Sequence, residues 1–273
     1  KANIVLAVLL TNTILLIWFE RKVVAGMQSR VGPDRAGPFG ILQTLADAIK
    51  LLLKEQILPS KADRAMYLLA PLIALVPSFL IFMIIPLGPD ITIEWQNTLY
   101  TIPFVGADLN VGVLYFLALS SIAVYSVVLA GWSSGSKYPL LGGVRASAQM
   151  ISYEAAMGLA LVPVILYSGS LSLVDIVNSQ AGNLSTSIPI LNSIVSFIPK
   201  WNIFPQFVAF GIFFIAAVAE VNRAPFDLVE AEQELVGGFH TEYSGFRFAM
   251  FFLAEYINMF NMCAITATFF LGG

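Results

Sequence analysis

Five acids lie between Glu220 and Glu234: Glu220, Asp227, Glu230, Glu232 and Glu234, with Glu242 shortly after. Only Arg223 and Arg247 offset them nearby. Crowded carboxylates repel one another, and those that are buried acquire raised pKa values. A carboxyl that titrates near neutral pH can take up and release protons under working conditions. The same composition suits a solvated acidic loop, so this segment alone leaves both readings open. Glu154 and Glu255 shift the balance, because each stands about two turns inside a long apolar run. A charge at that depth costs several kcal/mol unless it faces a cavity or is protonated. Neither has a basic residue three or four positions away, so pairing within one helix does not account for them. They read either as bonds across helices or as part of a chain of protonatable sites.

Other chemistry is excluded by residue counts. One cysteine, Cys263, rules out an intrachain disulfide and four-thiolate iron–sulfur ligation. One histidine, His240, rules out a multi-histidine haem or metal site. Gly131-Trp132-Ser133-Ser134-Gly135 matches G-x-S-x-G. It follows an apolar run, whereas a nucleophile elbow needs a strand before it and a histidine partner. There is no P-loop.

The elements that must position these acids are membrane helices. The chain is 58% hydrophobic and 11% charged, too little charge to cover a soluble domain of 273 residues. Six apolar spans stand out, at 2–19, 65–86, 110–132, 148–168, 203–221 and 247–270. In lipid the backbone must satisfy its own hydrogen bonds, and no alternating barrel pattern occurs, so each span reads as a helix. The fold class expected is all-α, a polytopic helix bundle forming a single membrane domain over 1–273. The short apolar piece 188–199 reads as a loop or re-entrant stretch. No cleavable signal peptide is expected, since the first run ends in charge.

Twelve of the fourteen Lys and Arg fall in three alternate loops, 20–64, 132–147 and 220–247, and only Lys1 and Lys200 lie opposite. That asymmetry places these loops inside and the N-terminus outside. Within the first loop, residues 39–54 carry Leu42, Leu45, Ile49, Leu52 and Leu53 on one helical face and Gln43, Asp47, Lys50 and Lys54 opposite. Such an amphipathic helix lies in an interface. It serves either as a surface anchor or as the floor of a cavity for a lipophilic ligand. Residues 32–38, Gly-Pro-Asp-Arg-Ala-Gly-Pro, form a stiff, turn-rich approach to it.

Several motifs occur in a fixed order. Glu20-Arg21-Lys22 closes the first span, followed by Gln28-Ser29-Arg30-Val31-Gly32-Pro33 and by residues 40–51, GILQTLADAIKL. Then come Gly142-Gly143-Val144-Arg145, Ser152-Tyr153-Glu154, residues 222–228, NRAPFDL, the Glu-x-Glu-x-Glu run and Glu242-Tyr243. Together they resemble the membrane subunit of proton-translocating NADH:quinone oxidoreductase (complex I), the H subunit of the bacterial complex, over essentially the whole chain. The resemblance implies an eight-helix subunit, of which six spans are expected here. It implies a tunnel for ubiquinone, menaquinone or plastoquinone as substrate, with nothing bound covalently. Flavin and iron–sulfur clusters would sit on partner subunits.

By the same resemblance, Glu20, Arg21, Arg30, Asp47, Arg223, Phe226 and Phe252 belong to the quinone tunnel. Glu154, Glu220, Asp227, Glu230, Glu232, Glu234 and Glu255 belong to the proton path. Partners would be the hydrophilic-arm quinone-module subunits on the inside face, with small membrane subunits and antiporter-like subunits alongside, and membrane lipid but no nucleic acid. The expected location is a bacterial cytoplasmic membrane, otherwise a mitochondrial inner or thylakoid membrane. Two other classes fit parts of the pattern. A membrane-bound hydrogenase or ferredoxin-fed photosynthetic complex would keep the scaffold and change the electron donor. An autonomous transporter would show inverted repeats with broken helices, and none is found.

Overall fold

A computed structural model describes residues 2–89, 91–95, 98–102, 104–183, 199–226 and 236–273. The helices are α1 (Ala2–Met27), α2 (Gln43–Leu53), α3 (Arg64–Met83), α4 (Gly112–Ser133), α5 (Lys137–Ser168), α6 (Leu173–Ser179), α7 (Phe207–Glu220) and α8 (Gly245–Phe270). Short 3-10 turns occupy Pro38–Gly40 and Gly238–His240. The helical membrane architecture read from composition is the one observed, with one addition. An antiparallel hairpin, β1 (Ile91–Trp95) and β2 (Thr98–Ile102), pairs Ile93 with Tyr100 between α3 and α4.

Four helices, α3, α4, α5 and α8, are long and apolar enough to cross a membrane. Helix α1 contains the predicted first span and runs 26 residues. Helix α7 has only 14 residues, about 21 Å at 1.5 Å per residue, short of a hydrocarbon core of about 30 Å. The predicted fifth span, 203–221, therefore shortens at its N-terminal end, where residues 202–206 form turns. The segment 188–199 lies almost wholly outside the described residues.

The second inside loop, 132–147, contracts to residues 134–136, because α5 starts at Lys137. Close packing explains why Gly142 and Gly143 sit within that helix. A Cβ on Gly142 would meet the Gly238 backbone at 2.8 Å, and one on Gly143 would meet the Val127 carbonyl at 3.0 Å. Gly131 on α4 faces the same seam, where a Cβ would meet the Pro139 carbonyl at 2.5 Å. Small residues let membrane helices approach this closely. The apparent nucleophile-elbow motif is thus a helix-packing site. Gly131→Val should force α4 from α5 and destabilise the fold by about 1–3 kcal/mol. Thermal unfolding in detergent, followed by size-exclusion chromatography, would show it as a lowered Tm.

Helix α2 is shorter than the 39–54 read from periodicity. Phe39 (φ 56°) and Gly40 (φ 76°) are left-handed and interrupt the helix before Gln43. Trp18 Nε1 donates to the Phe39 carbonyl at 2.9 Å, tying this turn to α1. The predicted apolar face is present and uncovered, with Leu42, Leu45, Ile49, Leu52 and Leu53 all exposed. Prolines 71, 77 and 163 sit inside α3 and α5, as membrane helices tolerate where neighbours re-satisfy the freed carbonyls. The main core joins α1, α3, α4, α5, α7 and α8 through Leu9, Phe82, Phe116, Met157, Phe213 and Ile257. Helix α8 packs against α3 and α1, so its acid enters the middle of the bundle.

Candidate functional site

Two cavities frame the buried charges. The first, about 420 Å3, is lined by Glu20, Arg21, Val24, Ala25, Arg30, Val31, Gly32, Pro33 and Tyr256. Its volume falls in the range of small-molecule sites. Its walls are the end of α1, the stiff turn after it and one side chain of α8. Asp47 reaches this wall only through Arg21, whose Nη1 donates to Asp47 Oδ2 at 2.6 Å, while Gln43 Nε2 donates to the other oxygen at 3.1 Å. No side chain of α2 lines this cavity. Helix α2 is an outer buttress, held through Arg21–Asp47 and through Thr44, whose hydroxyl donates to the Ile14 carbonyl.

The second cavity, about 70 Å3, lies inside the bundle. Its ionisable lining is Glu220 from α7, Glu255 from α8 and His240 from the turn before α8. Asn222, Asn258 and Ser126 add polar groups, and Met150, Phe239, Phe251 and Phe252 add apolar wall. Glu220 is 8% exposed. Ser120 Oγ donates to Glu220 Oε1 at 2.9 Å, and Glu220 Oε2 has no partner among the described residues. The next residue, Ser121, donates a short hydrogen bond to Glu154 Oε1. Adjacent serines of α4 thus hold one acid from α7 and one from α5.

Arg223 connects the two cavities. Its Nη1 lies 2.9 Å from Glu20 Oε1 and its Nη2 lies 3.4 Å from Glu255 Oε1. Its guanidinium also lies over the Tyr256 ring, 4.7 Å from the centroid. Burial pulls the Arg223 pKa down, but Tyr256, Glu255 and Glu20 outweigh it and hold the value above the usual range. Arginine suits this position because its planar fork can serve two acids and stack at once.

His240 is enclosed by rings. Its centroid lies 4.9 Å from Phe239, 5.4 Å from Phe248 and 5.9 Å from Phe252. Burial pushes its imidazole down to about 4. The folded value lies below the free value of 6.5. The cage is therefore fully stable above about pH 6.5 and loses stability as pH falls through about 4.

Among the predicted tunnel residues, Glu20, Arg21 and Arg30 line the larger cavity, with Arg223 and Asp47 one contact behind. Phe252 lines the inner cavity with Glu220 and Glu255. Phe226 lines neither: its ring packs edge-on against Tyr153 at 5.4 Å, and its carbonyl accepts from Gln149. Glu154, Glu220 and Glu255 converge on the bundle interior, whereas Asp227, Glu230, Glu232 and Glu234 lie outside the described residues. Sequence reasoning missed His240, Tyr256 and the serine pair. Two adjacent serines in an otherwise apolar span were a usable signal. Nothing local marks Tyr256 except its place beside Glu255.

A family model described as NADH dehydrogenase matches residues 1–273. The chain is 52% identical to the NADH-quinone oxidoreductase H subunit of Frankia alni, covering all of this chain and 56% of that protein. It is 51% identical to a second-copy H subunit of the NADH-quinone oxidoreductase of Syntrophobacter fumaroxidans, covering all of this chain and 76% of that protein. It is also 52% identical to the NADH-quinone oxidoreductase H subunit of Thermomicrobium roseum, over 99% of this chain and 76% of that one. The chain therefore spans a little over half the length of the Frankia relative and about three quarters of the others. With a helical membrane bundle, buried acids and matches of this strength along its whole length, the chain belongs to the NADH dehydrogenase family of membrane subunits.

Proposed function

We propose that the chain is the membrane subunit of a proton-translocating NADH:quinone oxidoreductase, that its larger cavity is part of the quinone-access tunnel, and that its inner cavity begins a proton-coupling path. The carrying observation is Arg223, which bonds Glu20 at the larger cavity and Glu255 at the inner one. A change of charge where quinone is reduced would alter the hold of Glu20 on Arg223, and hence that of Arg223 on Glu255. In a water-poor site such couplings exceed those in bulk. Quinone acts as substrate, and flavin and iron–sulfur clusters belong to partner subunits. The basic face contacts the hydrophilic arm, and the bundle sides contact small membrane and antiporter-like subunits. Asp227, Glu230, Glu232 and Glu234 would extend the acid path on the inside face. The membrane is a bacterial cytoplasmic one in this reading, and the positive-inside asymmetry has α1 entering it from outside.

The test is electron paramagnetic resonance of the tagged protein purified in mild detergent, after NADH addition. One cysteine cannot ligate a cluster, so any iron–sulfur signal comes from partners. NADH-reducible clusters with inhibitor-sensitive quinone reduction are expected. Clusters reducible only by ferredoxin or hydrogen would move the subunit to a related complex. Absence of clusters from an intact preparation would overturn the assignment.

A further inference from the structure

We infer that His240 is a proton-relay residue of the inner cavity, passing protons between Glu220 and Glu255 through its two ring nitrogens. The inference rests on the proton-coupling reading of that cavity and adds a residue that the acid series does not contain.

The ionisable groups facing this cavity are Glu220 from α7, Glu255 from α8 and His240 itself; α3, α4 and α5 contribute Ala74, Ser126 and Met150 among others, none of them ionisable. Three phenylalanines fix the imidazole plane. Its nitrogens make no hydrogen bond among the described residues, which leaves both for exchange. The backbone beneath it is rigidly seated. Tyr243 stacks on Tyr67 with centroids 4.1 Å apart, and Tyr67 Oη donates to the Glu242 carbonyl at 2.7 Å. Gly238 abuts α5 so closely that Gly142 has no room for a Cβ.

A neutral imidazole is a donor at one nitrogen and an acceptor at the other. It can therefore pass a proton while resting uncharged, as an apolar cage requires. A carboxyl O–H breaks as an N–H forms on the near nitrogen. The N–H on the far nitrogen breaks as an O–H forms on the second carboxylate. The ring then returns to its starting tautomer. The cavity's 70 Å3 leaves room for a few bridging waters, each needing about 10–15 Å3. An apolar ring of the same size could fill the cage but could not exchange protons. That difference separates a relay from a packing role.

The experiment uses the intact membrane complex carrying His240→Ala, His240→Gln, His240→Phe, Glu220→Gln or Glu255→Gln. NADH:ferricyanide activity reports assembly, while quinone reduction and proton pumping report coupling. His240→Ala is expected to lose coupled activity about tenfold or more, and added imidazole, in its neutral form, should restore much of it. The two Glu→Gln variants should lose activity without imidazole rescue. His240→Gln keeps volume and a polar edge and should show the same loss, even if the alanine variant assembles poorly. Normal pumping in His240→Gln, or recovery in His240→Phe without rescue of His240→Ala, would overturn the relay. If that happened while Glu220→Gln stayed inactive, the proton-coupling reading would stand without His240. Normal pumping in Glu220→Gln and Glu255→Gln would overturn the coupling reading itself.

Discussion

Arg223→Met is expected to abolish quinone-linked activity and to loosen the junction of α1 with α8. The substitution leaves two carboxylates, Glu20 and Glu255, without the cation that holds them at 2.9 and 3.4 Å. Breaking a buried ion pair from one side costs about 3–5 kcal/mol. Here the lower end applies, because Glu20 is 34% exposed and solvent screens part of its charge. Loss of the stack on Tyr256 adds to this. Thermal inactivation of the purified complex should move to a clearly lower temperature. Arg223→Lys should be intermediate, since one ammonium cannot serve both acids and cover the ring. Pairing Arg223→Met with Glu255→Gln removes one orphaned charge. That double variant should regain stability but not proton pumping. Full pumping in assembled Arg223→Met would show that the bridge is structural only.

Glu220→Gln is expected to leave assembly intact and reduce coupled turnover by about tenfold or more. The amide has the same shape, and its oxygen can still accept from Ser120 Oγ, now 2.9 Å from Glu220 Oε1. The side chain is almost fully buried, and Oε2 has no partner among the described residues. A permanent charge in such surroundings is expensive, so the change removes a proton-binding group without removing a needed cation partner. Stability should hold or rise. Ser120→Ala should be milder, because it removes one hydrogen bond and keeps the acid. Proton uptake by proteoliposomes, normalised to NADH:ferricyanide activity, measures both. Undiminished uptake in Glu220→Gln would return this acid to a structural role.

Much was legible in the residues because apolar length and charge asymmetry act through bulk properties of lipid and water. The helical spans, the inside loops and the amphipathic stretch follow from such properties. The buried acids were found in the same way, as costs that an apolar run would not otherwise carry. Local geometry was less legible. Periodicity extended α2 back to residue 39, but the left-handed backbone at Phe39 and Gly40 and a tie to Trp18 interrupt it. Composition placed a loop at 132–147, but contacts with Val127 and Gly238 make its glycines part of a helix seam.

By itself the sequence determined a helical membrane chain, a basic inside face and the acids available for proton exchange, because hydrophobicity and charge are properties of residues taken in order. Only the tertiary structure decided which charges meet. Glu20 and Arg223 are 203 positions apart, and Ser120 reaches Glu220 across 100 positions. The structure also turned Phe252 toward the inner cavity and brought His240 to the same cavity as two acids. Pairing, depth and enclosure arise when helices from distant parts of the chain pack together, and no helix carries that information alone.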